Sequence, residues 1–221
     1  MPAGGKRGGT TRRKPKLRAA GSAEPFPSTI LSYQLSDPES LNSGLLDMIA
    51  AWRKEDPEGM DVSNINGWHS QRTLFSRREP VVVELLDHVR VALVAYVRQY
   101  IGDFHPNKWK TFTDGWVNVN GPGGYNVPHT HDEFQVSGCY YVAVPERSSE
   151  MSGAIEFLNP ASAVPPLLEL GRAMSPARYR ITPKAGQMLL FPAYLSHWVL
   201  PNQEAEERVS IAFNLRVMDR V

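Results

Sequence analysis

His129 and His131 stand two residues apart, and a third histidine, His197, follows much later in the chain. In an extended segment, side chains two apart point to the same side, so this pair can offer two imidazoles to one metal ion. His197 opens a segment that can return alongside them. A close pair plus a distant third ligand leaves metal positions open for a co-substrate and dioxygen, as in non-haem iron sites. Further on, Arg208 and Ser210 share one face of the last strand-like run. A guanidinium makes a two-pronged bond to a carboxylate, and a hydroxyl two residues on adds a third contact. That pair suits the distal carboxylate of a keto-diacid whose other end chelates the metal. Each element alone is common, and a His-x-His pair is more often not a metal site. The ordered combination is far more specific.

Other residues could line such a cavity. Trp116, Asn118 and Asn120 share one face of a strand, and buried amides must be hydrogen-bonded. Tyr140 and Tyr141 point to opposite faces, so at most one phenol enters, and Tyr141 is the candidate. Asn214 shares the Arg208/Ser210 face and borders the site. A second ligand set also fits the spacing, with Glu133 replacing His129 beside His131 and His197. Cys139 reads as a packed residue, and His69, His88 and His105 as structural or surface residues. Gly121–Tyr125 lacks the spacing of a phosphate-binding loop and reads as a flexible connector or lid. Residues Pro165–Pro176 form another loop long enough to cover a barrel mouth.

The elements that must position these groups change period along the chain. Leu41, Leu45, Ile49 and Trp52 recur at helical spacing within Asp37–Lys54, with Ser40 or Asp37 as N-cap. A second apolar stripe, from Val82 to Ile101, predicts a helix over Pro80–Ile101, closed by Gly102. Ser63–Ser70 reads as a turn into a short strand. Beyond Gly102 come short β-type runs: Trp116–Asn120, Gly138–Val144, Ala154–Leu158, Tyr179–Thr182, Gln187–Phe191, His197–Leu200 and Arg208–Val217. Gly- and Pro-rich turns separate them. A mainly β sandwich or barrel with helices on one face follows.

The 221 residues suffice for one domain with a buried core, plus a tail. Lys+Arg (24) and Asp+Glu (23) nearly cancel, so total charge names no partner. Residues 1–25 have no hydrophobic periodicity and read as a disordered basic tail. Its cluster Thr11-Arg12-Arg13-Lys14-Pro15-Lys16-Leu17-Arg18 could touch a polyanion weakly or serve as a nuclear address. A single cysteine rules out an internal disulfide framework and fits a reducing compartment, cytoplasm or nucleus, although the Arg-rich start also admits organelle targeting. No apolar run is long enough to span a bilayer, so no membrane partner is expected.

Several motifs occur in a telling order: His129-Thr130-His131, Ser137-Gly138-Cys139-Tyr140-Tyr141-Val142, Gly153-Ala154-Ile155-Glu156-Phe157, Pro183-Lys184-Ala185-Gly186, Ser196-His197-Trp198 and Arg208-Val209-Ser210. Together they resemble a 2-oxoglutarate/Fe(II) oxygenase family of bacterial and phage proteins, over roughly residues 60–217. Upstream, Ser63-Asn64, Gly67-Trp68 and Ser70 resemble a further motif of that family. The resemblance implies a double-stranded β-helix (jelly roll) over residues 26–221, carrying two N-terminal helices. It implies Fe(II), 2-oxoglutarate and O2, with decarboxylation to succinate and CO2 coupled to hydroxylation of a substrate C–H bond. It offers no substrate, which could be a small molecule or a protein side chain. Two other functions fit the residues: a three-His cupin-like dioxygenase that uses no keto-acid, and a non-catalytic jelly-roll binding module.

Overall fold

Period-two alternation in the C-terminal half decides the architecture. The computed structural model describes residues 28–160 and 176–220. The expected tail over 1–25 lies outside them, as does the loop Pro165–Pro176 except for Pro176. The elements are β1 Leu31–Gln34, α1 Glu39–Glu55, β2 Asn64–His69, α2 Pro80–Arg98, β3 Trp109–His129, β4 Val136–Ala143, β5 Ile155–Leu158, β6 Arg178–Ile181, β7 Gln187–Pro192, β8 His197–Val199 and β9 Arg208–Arg220. The strands pair antiparallel in the order β1-β7-β4-β9-β3-β8-β5-β6, with β2 also on β3. This curled sheet, with two helices against it, is the jelly roll.

The long strand β3 joins the two halves of the roll. Its first part pairs with β9 as far as Asn120↔Arg208, and its end pairs with β8 at His129↔His197. Between them the register against β2 jumps from Gly67↔Asn120 to Ile65↔Tyr125. The extra residues, Gly121–Gly124, form a bulge. Gly123 takes φ +73°, where side chains are disfavoured. The Gly123 N–H donates to the Asn202 carbonyl at 2.7 Å, and the Asn202 N–H donates to the Gly124 carbonyl at 2.9 Å. The segment expected as a flexible connector or lid is thus a corner of the strand, fixed by backbone hydrogen bonds.

Successive residues of each central strand divide between two layers. Val117 and Val119 of β3, Val136, Tyr140 and Val142 of β4, Met188 and Leu190 of β7, and Val209, Ile211, Phe213 and Leu215 of β9 join the core beneath the helices. There they meet Leu41, Leu45, Ile49 and Trp52 of α1, and Val82, Leu85, Val89, Leu93 and Val97 of α2. Burying each such side chain contributes about 1.5–3 kcal/mol, so this outer layer carries the stability. The Tyr140 hydroxyl donates to Asn42 Oδ1 at 2.6 Å, tying α1 to β4. The other residues of the same strands face the roll interior, where a smaller apolar cluster holds Cys139, Tyr141, Ile155, Phe157, Leu189, Phe191 and Leu195.

Both helix boundaries shift from expectation. Helix α1 has Pro38 at its N-cap with no side-chain cap, rather than Ser40 or Asp37. Helix α2 stops at Arg98 because the Gln99 and Tyr100 N–H groups turn to carbonyls three residues back, tightening the last turn.

Close packing of the outer layer is tested at Gly138. A Cβ there would lie 2.5 Å from the Phe213 ring and 2.6 Å from the Leu189 carbonyl, whereas one at Gly102 meets nothing within 4 Å. Gly138→Ala is expected to cost about 1–3 kcal/mol and Gly102→Ala less than about 0.5 kcal/mol, as read from urea midpoints.

Candidate active site

Three imidazoles converge at the point where β3 and β8 meet. His129 and His197 are direct cross-strand neighbours, with ring centroids 4.4 Å apart. Just past the end of β3, His131 brings its ring to 5.0 Å from His129 and 5.4 Å from His197. The His131 N–H donates to the Ala193 carbonyl at 3.0 Å, which fixes the backbone there. One ligand atom from each ring lies within 4.8 Å of the others. Two nitrogens about 2.1 Å from a shared ion can be at most about 4.2 Å apart, so small side-chain adjustments suffice for the three to hold a metal.

The protonation of these rings is set by their surroundings. His129 Nδ1 lies 2.7 Å from the Val127 carbonyl, and His197 Nδ1 lies 2.9 Å from the Leu195 carbonyl. A carbonyl only accepts, so each Nδ1 carries the proton and each Nε2 keeps a free lone pair. Burial lowers all three pKa values, to about 3 for His131 and His197. For His131 the other two imidazoles add to the effect. Neutral imidazole is the metal-binding form.

The same cavity, of about 230 Å³, reaches down to Arg208. This arginine is 2% exposed. Its Nε donates to the Gly153 carbonyl at 2.9 Å and its Nη1 to Ser210 Oγ at 3.1 Å. The guanidinium carbon lies 5.0 Å from the centre of the Tyr141 ring. Gly153 has φ +61°, and a Cβ there would sit 2.9 Å from Arg208 Cδ, so glycine makes room for the arginine. No acid among the described residues forms an ion pair with Arg208. A buried guanidinium without a counter-charge is costly, by several kcal/mol. Nearby, the Tyr141 hydroxyl is buried without a hydrogen-bond partner. Burial also raises the Tyr141 pKa well above its ordinary value, so the phenol stays a donor. These open valences fit a bound anion with several acceptor oxygens, as 2-oxoglutarate is.

Asn118, Tyr141, Arg208 and Ser210 line the cavity with the three histidines. Asn214 does not. It is fully buried, and its Oδ1 accepts from Ser137 Oγ at 2.7 Å. Nor does Asn120 line it; its Nδ2 reaches Asn126 Oδ1 at 3.3 Å. The alternative ligand Glu133 is turned away, with its side chain 81% exposed and its carboxylate 2.8 Å from Arg216 Nη2. The physical reason is a turn closed by the Phe134 N–H on the His131 carbonyl, 3.0 Å. Past that turn the two-residue alternation no longer carries residues 131 and 133 to one side.

Two residues at the wall escape a spacing argument. His69 is 1% exposed, stacks on Trp116 at 5.6 Å with an interplanar angle of 15°, and places Nδ1 2.6 Å from the Ser70 carbonyl. Burial lowers its pKa to about 4. Arg72 lies over the Trp116 ring, 4.8 Å from its centre. The sole signal was the neighbourhood of His69, in Gly67-Trp68-His69-Ser70. Cys139 also lines the cavity, while His88 and His105 are exposed, as expected.

Comparison with known proteins agrees with this geometry. Residues 114–214 match a family model described as "Putative 2OG-Fe(II) oxygenase". No curated protein matches the chain. Among solved structures, a prolyl-4-hydroxylase from Pseudomonas putida superposes with TM-score 0.57 at 16% identity, covering 85% of this chain and 91% of that one. The Trichoplax adhaerens prolyl hydroxylase, in complex with a hypoxia inducible factor peptide fragment, gives 0.60 at 13% identity, covering 85% and 83%. HygX from Streptomyces hygroscopicus, with nickel and 2-oxoglutarate bound, gives 0.56 at 12% identity, covering 86% and 83%. At such identities the structural likeness is one of fold. The family match runs from β3 into β9 and takes in all three histidines, Arg208 and Ser210, and over these residues the chain is similar to the 2-oxoglutarate- and Fe(II)-dependent oxygenases.

Proposed function

We propose that the protein hydroxylates a C–H bond of its substrate, consuming 2-oxoglutarate and O2 and releasing succinate and CO2. His129, His131 and His197 would hold the iron, with Nε2 of His129 and His197 free to ligate it, and residues 26–221 would act as one oxygenase domain. Arg208 and Ser210 receive the distal carboxylate of 2-oxoglutarate, with Tyr141 and Asn118 completing its polar shell. Iron bound there would supply the oxidising chemistry that breaks the C–H bond. The observation that carries the reading is the buried, acid-free Arg208, which shares one cavity with the three imidazoles.

The chain's own contribution is position and exclusion. Backbone carbonyls hold two imidazoles in the neutral, ligating form. Phe191 packs its ring edge-on to His197 at 4.8 Å and Phe157 lies 6.0 Å away, which keeps water from that side of the metal site. Asn214 steadies the inner wall through Ser137 instead of touching the co-substrate.

Purified protein with Fe(II) is expected to convert 2-oxoglutarate to succinate slowly even without substrate. Absence of both turnover and calorimetric 2-oxoglutarate binding would overturn the proposal in favour of a binding module. Arg208→Ala should lose the charge-assisted bonds, about 1.5–3 kcal/mol or roughly 10–150-fold in 2-oxoglutarate affinity, while keeping its iron. If catalysis survived that change undiminished, a three-His dioxygenase that uses no keto-acid would be the better description. Elemental analysis is expected to show iron lost in His129→Ala and retained in Glu133→Ala.

The pH dependence of the metal-free protein has a definite sign. Below about pH 6.5 the unfolded chain protonates its histidines, whereas native His69, His131 and His197 stay neutral to about pH 3–4. The unfolded state then binds more protons, so stability is present above pH 6.5 and is lost as the pH falls. The loss approaches about 1.4 kcal/mol per histidine per pH unit. Urea midpoints at pH 7.5, 6.5 and 5.5 should decline, and less steeply in His69→Gln.

A further inference from the structure

The cavity that holds the three histidines is lined by two arginines and no aspartate or glutamate. Arg208 stands at its buried end and Arg72, an exposed residue, at its rim. On the proposed function, Fe(II) and the 2-oxoglutarate dianion cancel in charge, because the three imidazoles are neutral. The two guanidinium charges then exceed the anionic charge available to the site. Arg208 is accounted for by the co-substrate, and Arg72 is not.

Arg72 is also held in place. On one side of it, the Ser70 N–H donates to the Val117 carbonyl at 3.0 Å and Ser70 Oγ accepts from the Val117 N–H at 2.9 Å. On the other side, Thr73 bridges to Gly115 of β3. The guanidinium rests on Trp116, whose ring lies 5.6 Å from that of the metal-site residue His131. Stacking occupies the face of a guanidinium and leaves its N–H edge free for a planar anion. None of the described acids forms an ion pair with Arg72. Asp114 shares the interior face of β3, where burial raises its pKa and the Arg72 charge opposes that rise by favouring the ionised form. It is buried outside the cavity, forms no ion pair with Arg72 and leaves the guanidinium edge open to the rim.

We infer that the substrate carries an oxyanion, a carboxylate or a phosphate, which Arg72 receives at the rim beside Trp116 and His69. The inference rests on the proposed function for the position of the oxidised C–H bond, which must lie within reach of both the metal and this anchor. His69 borders the anchor with a neutral Nε2, so it can accept a hydrogen bond from the same substrate.

The test uses full-length protein loaded with redox-inert Mn(II) and 2-oxoglutarate under argon, as wild type, Arg72→Gln and Arg208→Gln. Acetate, inorganic phosphate and neutral acetamide are titrated at constant ionic strength, with the rise in Tm as readout. Acetate or phosphate should stabilise the wild type saturably while acetamide does not. The apparent anion affinity should fall about tenfold in Arg72→Gln, with 2-oxoglutarate affinity held within about twofold. The stronger of the two anions identifies the substrate group as carboxylate or phosphoryl. Equal anion responses in wild type and Arg72→Gln, an acetamide response equal to that of acetate, or no anion response in the wild type would each overturn the inference. Failure of the wild type to bind 2-oxoglutarate with Mn(II) would instead overturn the proposed function, and Arg208→Gln marks what that failure looks like.

Discussion

In a pleated strand, side chains must leave alternately to opposite sides, and here that constraint separates stability from chemistry. Within β9, Val209, Ile211, Phe213 and Leu215 enter the core beneath the helices. Arg208 and Ser210, interleaved with them, face the cavity. Strand β3 divides the same way, with Val117 and Val119 outward and Trp116 and Asn118 inward. A one-residue slip of either strand would exchange the two sets, exposing the core and burying the polar groups in the wrong layer. The outer layer therefore fixes the register, and the register places the site.

Inside the roll, the polar groups are costly to the folded chain. Arg208 is buried without an acid, and the Tyr141 hydroxyl has no partner. Polar groups left open in a packed interior are a reservoir that a ligand with matching charge and acceptors can relieve. The hydrophobic layer against α1 and α2 offsets that cost, and the ligand recovers part of it on binding. The same logic explains Gly153, where any side chain would displace Arg208 from the cavity wall.

Much of this was legible in the residues, because periodicity reports which face a side chain takes. The two apolar stripes gave both helices, and the alternation in 208–217 gave the last strand with Arg208 and Ser210 on one face. The His129/His131 pair was legible for the same reason. What escaped was where alternation stops. His131 closes a turn, so spacing alone could not separate it from Glu133, which leaves the site for Arg216. Bulges escaped as well: Gly121–Gly124 reads as a loop by composition but is held by Asn202 across the corner. Asn214 shares a strand face with Arg208 yet sits beyond the cavity, since position along a strand decides distance and periodicity does not. His69 and Arg72 come from a strand and turn far upstream, and only the pairing of β2 with β3 brings them to the wall.

On the proposed ligand set, three imidazoles in place of two and a carboxylate would have an electrostatic consequence for the whole cavity. A carboxylate ligand would lower the charge of the metal site by one, and its neighbours would need less anionic compensation. Here the alternative carboxylate ligand, Glu133, is paired instead with Arg216 at the surface, with its side chain 81% exposed. Water screens that pair strongly, so it contributes little field inside the roll. Three neutral imidazoles would thus leave the full charge of a bound divalent ion in place. In a low-dielectric interior that charge acts at longer range than it would in water. On the proposed function it would favour anions in each open position, 2-oxoglutarate against Arg208 and then a group approaching past Trp116.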